Sequence, residues 1–313
     1  MTPGPLLLIG GAEDKLGART VLARFVHLAG GPDARIAVVA TASALGDEVI
    51  DIYREAFGKL GVTDVRAPRP TTRAEAAHQY LVDQLDGATG IYLTGGNQTK
   101  LTGVLAGTPF GRALIAAHAR GAVVAGTSAG ASALSDHMVA FGAEGSTPKL
   151  RMVQMAAGLG LLRGIVVDQH FDQRNRYGRL LALLAHSPHL LGMGVDEDTA
   201  AVVTEGRWLE VVGRGAVTIF DGRDVTSNVD TARGTSALLV SGAVIHSLPA
   251  GAQFDLEERV LLPAATGRPD DLREPQSAPV ASSSRRRLAR LVALEGVRGR
   301  GVQRPQGGGT TGS

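Results

Sequence analysis

Short runs that are apolar almost throughout, separated by longer amphipathic stretches, set the strongest limit on how this chain can fold. The runs fall at 6–9, 36–40, 63–65, 90–93 and 122–125. Between them, stretches near 16–29, 45–60, 74–85 and 110–120 carry helical spacing. Within 45–60, for example, Val49, Ile52, Tyr53, Ala56, Phe57 and Leu60 recur every three or four residues, and Gly61 follows as a stop. Strand runs without polar alternation need cover on both faces. Helices alternating with the strands of a parallel sheet provide it, so the spacing predicts an α/β fold around a mostly parallel sheet. A further strand at 165–167 and a helix near 178–186 follow. Then Val195, 200–203, 208–212 and 217–220 come close together, separated by short Gly- or acid-containing turns. That pattern predicts a C-terminal β-meander closing the domain.

Composition narrows the function classes. The 313 residues include no Cys, which excludes a disulfide framework, Cys-ligated zinc, iron–sulfur clusters and a thiol nucleophile. No run approaches the roughly 18 apolar residues of a membrane span, and the first residues lack the basic start of a leader. The expected place is therefore the cytoplasm, with no membrane partner. The net charge of +2 averages two unlike parts. Residues 267–313 hold nine Arg against four acids, a net +5, and 17 of the 47 are Gly, Pro or Ser. This predicts a basic, disordered tail, with a short helix near 285–294, behind a single domain over 1–266. That domain carries a net −3, which gives no support to a nucleic-acid partner for the folded part.

Five motifs stand at or beside strand runs. Gly126-Thr127-Ser128-Ala129-Gly130 matches the G-x-S-x-G elbow and has its strand–turn–helix setting: an apolar run before it and Ala131-Ser132-Ala133-Leu134 after it. Such a turn lifts a serine hydroxyl clear of the sheet and aims helix N–H groups at a developing oxyanion. Asp168-Gln169-His170-Phe171-Asp172 leaves the strand at 165–167, on the sheet edge where ligands of open α/β proteins bind. Of eight His, His170 alone stands among dense polar groups at a strand exit, as a base for a serine requires. Asp168, His170 and Asp172 would share one face if extended, which opens a metal reading, but no HExxH motif accompanies them. Gly194-Val195-Asp196-Glu197-Asp198-Thr199 offers three candidates for an acid that orients the imidazole, with Asp196 and Asp198 on one face and Glu197 on the other. Thr94-Gly95-Gly96-Asn97-Gln98 suits an oxyanion hole or a carboxylate cradle. Gly10-Gly11-Ala12-Glu13-Asp14-Lys15 follows the first strand without G-x-G-x-x-G, and no G-x4-G-K-[ST] occurs, so dinucleotide and nucleoside triphosphate cofactors find no motif.

Taken in order, the Gly10–Lys15 block, Thr94-Gly95-Gly96-Asn97-Gln98, Gly126-Thr127-Ser128-Ala129-Gly130, Asp168-Gln169-His170-Phe171 with the Arg-rich stretch to Leu180, and Gly194 to Ala200 resemble the cyanophycinase family of serine peptidases, which also holds the aspartyl dipeptidases. The resemblance spans about residues 5 to 265. It implies a three-layer sandwich similar to the class I glutamine amidotransferase domain, with Ser in place of that domain's Cys. It implies Ser128 as nucleophile, His170 as base and Glu197 as orienting acid, 42 and 27 residues apart. This Ser–His–acid chain order differs from that of the α/β-hydrolases. The oxyanion would rest on the N–H groups of Ala129 and Gly96. The implied substrate is cyanophycin, a polyaspartate bearing Arg on each β-carboxylate, released as β-Asp-Arg without metal or cofactor. Arg174, Arg176 and Arg179 would take substrate carboxylates in forked hydrogen bonds. Asp168, with the amides of Gln98 and Gln169, would receive substrate Arg or backbone groups. The resemblance also implies a homodimer.

Overall fold

Five of the expected runs are neighbours in one sheet. In the computed structural model, which describes residues 2–263, they are β1 (Leu6–Ile9), β2 (Arg35–Val39), β3 (Asp64–Arg66), β4 (Gly90–Leu93) and β5 (Val123–Thr127). They run parallel in the order β1-β5-β4-β2-β3. β1, β4 and β5 are buried at every residue, as continuous apolar runs require.

The later strands are β6 (His137–Gly142), β7 (Val153–Ala157), β8 (Ile165–Gln169), β9 (Leu191–Val195), β10 (Thr199–Thr204), β11 (Trp208–Gly213), β12 (Ala216–Asp221), β13 (Thr226–Ser227), β14 (Val240–Ser241), β15 (Val244–Pro249), β16 (Gln253–Asp255) and β17 (Val260–Leu261). Antiparallel β10, β11, β16 and β17 extend the large sheet beyond β1 to nine strands. A second sheet has the order β15-β12-β9-β8, and β6–β7 and β13–β14 form two ribbons. The expected meander therefore divides: β10 and β11 join the large sheet, whereas β9 and β12 pair in the second. The reason is burial. β9 and all but the last residue of β10 have no exposed face, and each is flanked on both sides, β9 by β8 and β12, β10 by β1 and β11.

The helices are α1 (Thr20–Leu28), α2 (Asp47–Lys59), α3 (Gln79–Val82), α4 (Gln98–Leu105), α5 (Pro109–Ala119), α6 (Ala129–Leu134) and α7 (Tyr177–His186). Alternation along β4 separates the two faces of the sheet. Tyr92 meets Phe25 of α1 and Tyr53 and Phe57 of α2, with ring centroids 5.4, 4.7 and 5.6 Å apart. Ile91 and Leu93 share a core with Leu101 of α4, Phe110 and Leu114 of α5, Leu134 of α6 and, from the second sheet, Val167, Met193 and Ile219. On the other side of that sheet, α7 places Leu180, Leu183 and Leu184 against Val166, Phe171 and Phe220.

Local hydrogen bonding explains the departures from the expected helices. The first begins only at Thr20, because the Asp14 carboxylate accepts the N–H groups of Leu16, Gly17 and Arg19 and holds them in a turn. The stretch near 74–85 breaks where His78 turns extended, at ψ 124°. α4 was not anticipated; Asn97 caps it by accepting from Lys100 N–H. The expected boundary near 266, the basic tail and its helix lie outside the described residues.

Candidate active site

The elbow is built by close backbone approach. Ser128 takes φ 51° and ψ −115° between β5 and α6. A Cβ on Gly126 would lie 2.4 Å from the Gly130 carbonyl, and one on Gly130 would lie 2.4 Å from the Leu93 carbonyl oxygen. Both glycines are therefore needed for β5, α6 and the end of β4 to meet. The second contact also brings the loop after β4 alongside the elbow.

His170 and Glu197 leave the second sheet directly after β8 and β9, which run parallel and so end at the same edge. Ser128 Oγ lies 2.9 Å from His170 Nε2, and His170 Nδ1 lies 2.7 Å from Glu197 Oε1. The other two acids of the candidate trio are engaged elsewhere. Asp196 accepts the N–H groups of Asp172 and Ala216, and Asp198 accepts that of Asp14. Of the three acids, Glu197 is the one whose side chain meets the imidazole.

One segment aligns all three loops. The carbonyls of Ile9, Gly10 and Gly11, consecutive at the exit of β1, accept the backbone N–H groups of Ser128, His170 and Asp198 at 2.9, 2.8 and 2.9 Å. Gly11, at φ 101°, lies directly beneath the imidazole: a Cβ there would be 2.3 Å from His170 Cε1. The residue-level reading tested Gly10-Gly11 only as a phosphate loop and missed this role. The available signal was a glycine pair at a strand exit. Gln173, whose side-chain oxygen accepts Glu197 N–H at 2.9 Å, had no distinguishing signal in its polar run.

Electrostatics favours a neutral imidazole. Burial pushes His170 below its ordinary value; the Glu197 hydrogen bond opposes this, and the charges of Arg174 and Arg176 add to it. The bond to His170 holds the Glu197 carboxyl below the usual range. A base that is neutral near pH 7 beside an ionised acid is the state nucleophile activation requires.

The remaining expected site residues divide. Gly96, at φ 139°, packs against the Ala42 carbonyl, where a Cβ would come within 2.1 Å. Ala129 is the first residue of α6, so its N–H has no acceptor within the helix. Gln98 donates to the carbonyls of Val139 and Ala140, both at 3.1 Å. Asp168 departs from expectation. It is 1% exposed, and the Arg179 fork grips both of its oxygens through Nε and Nη2, while Arg176 Nη1 adds a bond at 3.1 Å. Arg176 also binds the Gln169 carbonyl and side-chain oxygen, at 2.5 and 2.9 Å. Asp168 is therefore filled from within the chain and is not open to a substrate Arg. Arg176 and Arg179 are buried and turned onto it rather than lying free for carboxylates. Half-buried Arg174 stays near His170 and Glu197, where its charge is felt by both. Asp168 and His170 face different partners, so the aligned Asp168–His170–Asp172 set of the metal reading does not assemble. Among the described residues, no group of three or more His, Asp or Glu is placed to hold a metal ion, and no helix is long and apolar enough to cross a membrane.

The chain is similar to several known proteins. Cyanophycinase of Nostoc sp. is 40% identical over 271 residues, covering 84% of this chain and 89% of that protein. Cyanophycinase of Geminocystis herdmanii is 38% identical over 252 residues, covering 80% and 93%. The crystal structure of a peptidase from an acI-B1 actinobacterium superposes with a TM-score of 0.55 at 23% identity, covering 78% of this chain and 97% of that one, which shows a shared fold. The model of peptidase family S51 matches residues 6–211, which include Ser128, His170 and Glu197, and the chain belongs to that family.

Proposed function

We propose that the protein is a serine-type exopeptidase that hydrolyses cyanophycin to β-Asp-Arg dipeptides. The observation that carries this reading is the continuous hydrogen-bonded line from Ser128 through His170 to Glu197, in a chain about 40% identical to proteins named cyanophycinase. His170 Nε2 takes the hydroxyl proton as Ser128 Oγ attacks the scissile carbonyl. The N–H groups of Ala129 and Gly96 receive the oxyanion. The imidazolium, steadied by Glu197, gives its proton to the leaving amine, which departs and leaves an acyl-enzyme. His170 then deprotonates a water that attacks the ester, and the proton returns to Ser128.

The relatives of about 40% identity that are named cyanophycinase support the substrate class. The same reading carries the class I glutamine amidotransferase-like architecture, supported by the elbow following a central parallel strand, and a homodimeric assembly, supported by the family resemblance.

The test incubates purified protein and its Ser128→Ala variant with insoluble cyanophycin and identifies the soluble products by mass spectrometry. β-Asp-Arg released only by the wild type is expected. Release by neither, with cleavage of other Asp-containing peptides, would move the assignment to a different substrate.

A further inference from the structure

The mechanism makes no use of Glu13, yet this carboxylate is the most heavily bonded buried acid beside the elbow. It is 2% exposed. Tyr53 OH and Tyr92 OH donate to Oε1 at 2.5 and 2.8 Å, and Thr127 Oγ1 donates to Oε2 at 2.6 Å. Lys15 Nζ lies 2.9 Å from Oε1 and 5.2 Å from the centre of the Tyr53 ring. One side chain thus ties together α2, β4, β5 and the loop after β1.

Its position gives these bonds a meaning beyond stability. Thr127 is the residue immediately before Ser128, at the point where the backbone enters a strained conformation. Glu13 lies two residues past Gly11, at the end of the segment whose carbonyls hold Ser128, His170 and Asp198. The carboxylate therefore joins the last residue of β5 to the segment that carries the base. A buried ion pair is a weak device for stability alone, since apolar replacements of similar volume often serve as well. What sets this carboxylate apart is that its bond to Thr127 joins two loops of the site.

We infer that Glu13 is a positioning residue, which holds the Ser128 elbow in register with His170 through its bond to Thr127. The inference rests on Ser128 being the nucleophile, as proposed above. Thr127→Val deletes one hydroxyl and leaves Glu13 with Lys15, Tyr53 and Tyr92. Thr127→Ser restores the hydroxyl.

The readouts are the rate of Ser128 acylation by a fluorophosphonate, mapped by mass spectrometry, and kcat and KM on cyanophycin, with thermal unfolding in parallel. Thr127→Val is expected to slow acylation and lower kcat about 10-fold, with KM within about 2-fold, because a displacement well below 1 Å is enough for such a loss. Thr127→Ser is expected to recover most of it. Acylation of Thr127→Val at the wild-type rate would overturn the inference even if its melting temperature fell, and so would equal losses in both variants. Should Thr127→Val not fold, Thr127→Ala deletes the same hydroxyl with a smaller side chain, and an unchanged acylation rate there would overturn the inference equally. Wild-type protein unlabelled at Ser128, with hydrolysis surviving Ser128→Ala, is a separate result that defeats the nucleophile assignment and this inference with it.

Discussion

Replacing Gly11 by Ala disturbs the site while every reacting side chain keeps its identity. The added methyl carbon would lie 2.3 Å from Cε1 and 2.6 Å from Nε2 of His170. Carbon atoms in contact settle at about 3.5–4.0 Å, so the ring must retreat by about 1 Å or more. It has little room to do so, being 3% exposed and held 2.9 Å from Ser128 Oγ and 2.7 Å from Glu197. Retreat of that size disturbs the 2.9 Å approach of Nε2 to the hydroxyl. A displacement of that size costs about 100-fold in kcat, or about 2.7 kcal/mol of barrier. The backbone adds its own strain, since Ala at φ 101° costs about 1–3 kcal/mol of stability. For a domain of this size that lowers the melting temperature by several degrees.

A control separates the two effects. Gly31 has φ 66° and nothing within 4 Å of where a Cβ would stand, so Gly31→Ala carries backbone strain without a clash. Cyanophycin hydrolysis and calorimetry on both variants make the comparison. Gly11→Ala is expected to lose activity and stability, and Gly31→Ala stability alone. A Gly11→Ala enzyme with kcat within about 3-fold of wild type would refute the reasoning, because it would mean that the imidazole can work from another position.

Three further outcomes follow from the charges. The acid limb of kcat/KM should lie below the ordinary His value of 6.5, since burial depresses His170, and Arg174→Gln should move it to higher pH by removing a cation that disfavours the imidazolium; a pH–rate profile on each checks both. Glu197→Gln should lower kcat about 10²–10⁴-fold while leaving the fold intact, measured by hydrolysis and circular dichroism, because the imidazole loses both its orientation and the partner of its cation. Burial alone would raise the Glu13 carboxyl, but Lys15 and the hydroxyls of Thr127 and Tyr53 outweigh it and hold the group at about 2 against 4.5 unfolded. Its stabilisation, about 3 kcal/mol, is therefore complete above pH 4.5 and drains away as pH falls toward 2. Denaturant unfolding across that range should show a shallower decline in a Glu13→Gln/Lys15→Met double variant than in the wild type.

The parallel sheet was legible because β1, β2, β4 and β5 are runs that only two-sided cover can accommodate. The elbow was legible because Gly126 meets the backbone of Gly130 only four residues on. Less was legible wherever the decisive partner is distant in sequence. β9 and β10 look alike as strings, and only their neighbours, β8 and β12 for one and β1 and β11 for the other, send them to different sheets. Asp168 and the arginines after it read as a ligand-binding set. Spacing of 8 and 11 residues could not say that a turn of chain followed by α7 would fold Arg176 and Arg179 back onto the acid. The glycines at 10 and 11 carried too little chemistry to be noticed from the residues alone, although their contacts reach 160 and 187 residues along the chain.

Strain shows why that glycine segment matters. Ser128, His170 and Asp198 all hold positive φ, at 51°, 48° and 51°, although none is glycine. Each such residue costs about 1–3 kcal/mol and persists only where its surroundings leave no alternative. Here the surroundings are shared: the N–H groups of these three residues go to three successive carbonyls, Ile9, Gly10 and Gly11. Relaxing any one of them would strand a buried carbonyl as well as move a loop. A single segment thus couples the elbow, His170 and the loop of Glu197, so a change at Gly10, where a Cβ would meet the Asp196 carbonyl oxygen at 2.0 Å, should disturb all three together. Losses from Gly10→Ala and Gly11→Ala should accordingly be far from additive in the double variant, since the first substitution already releases the register that the second would disturb. Hydrolysis rates of the two single variants and the double variant decide it, and losses that simply multiply would show that the loops are held independently.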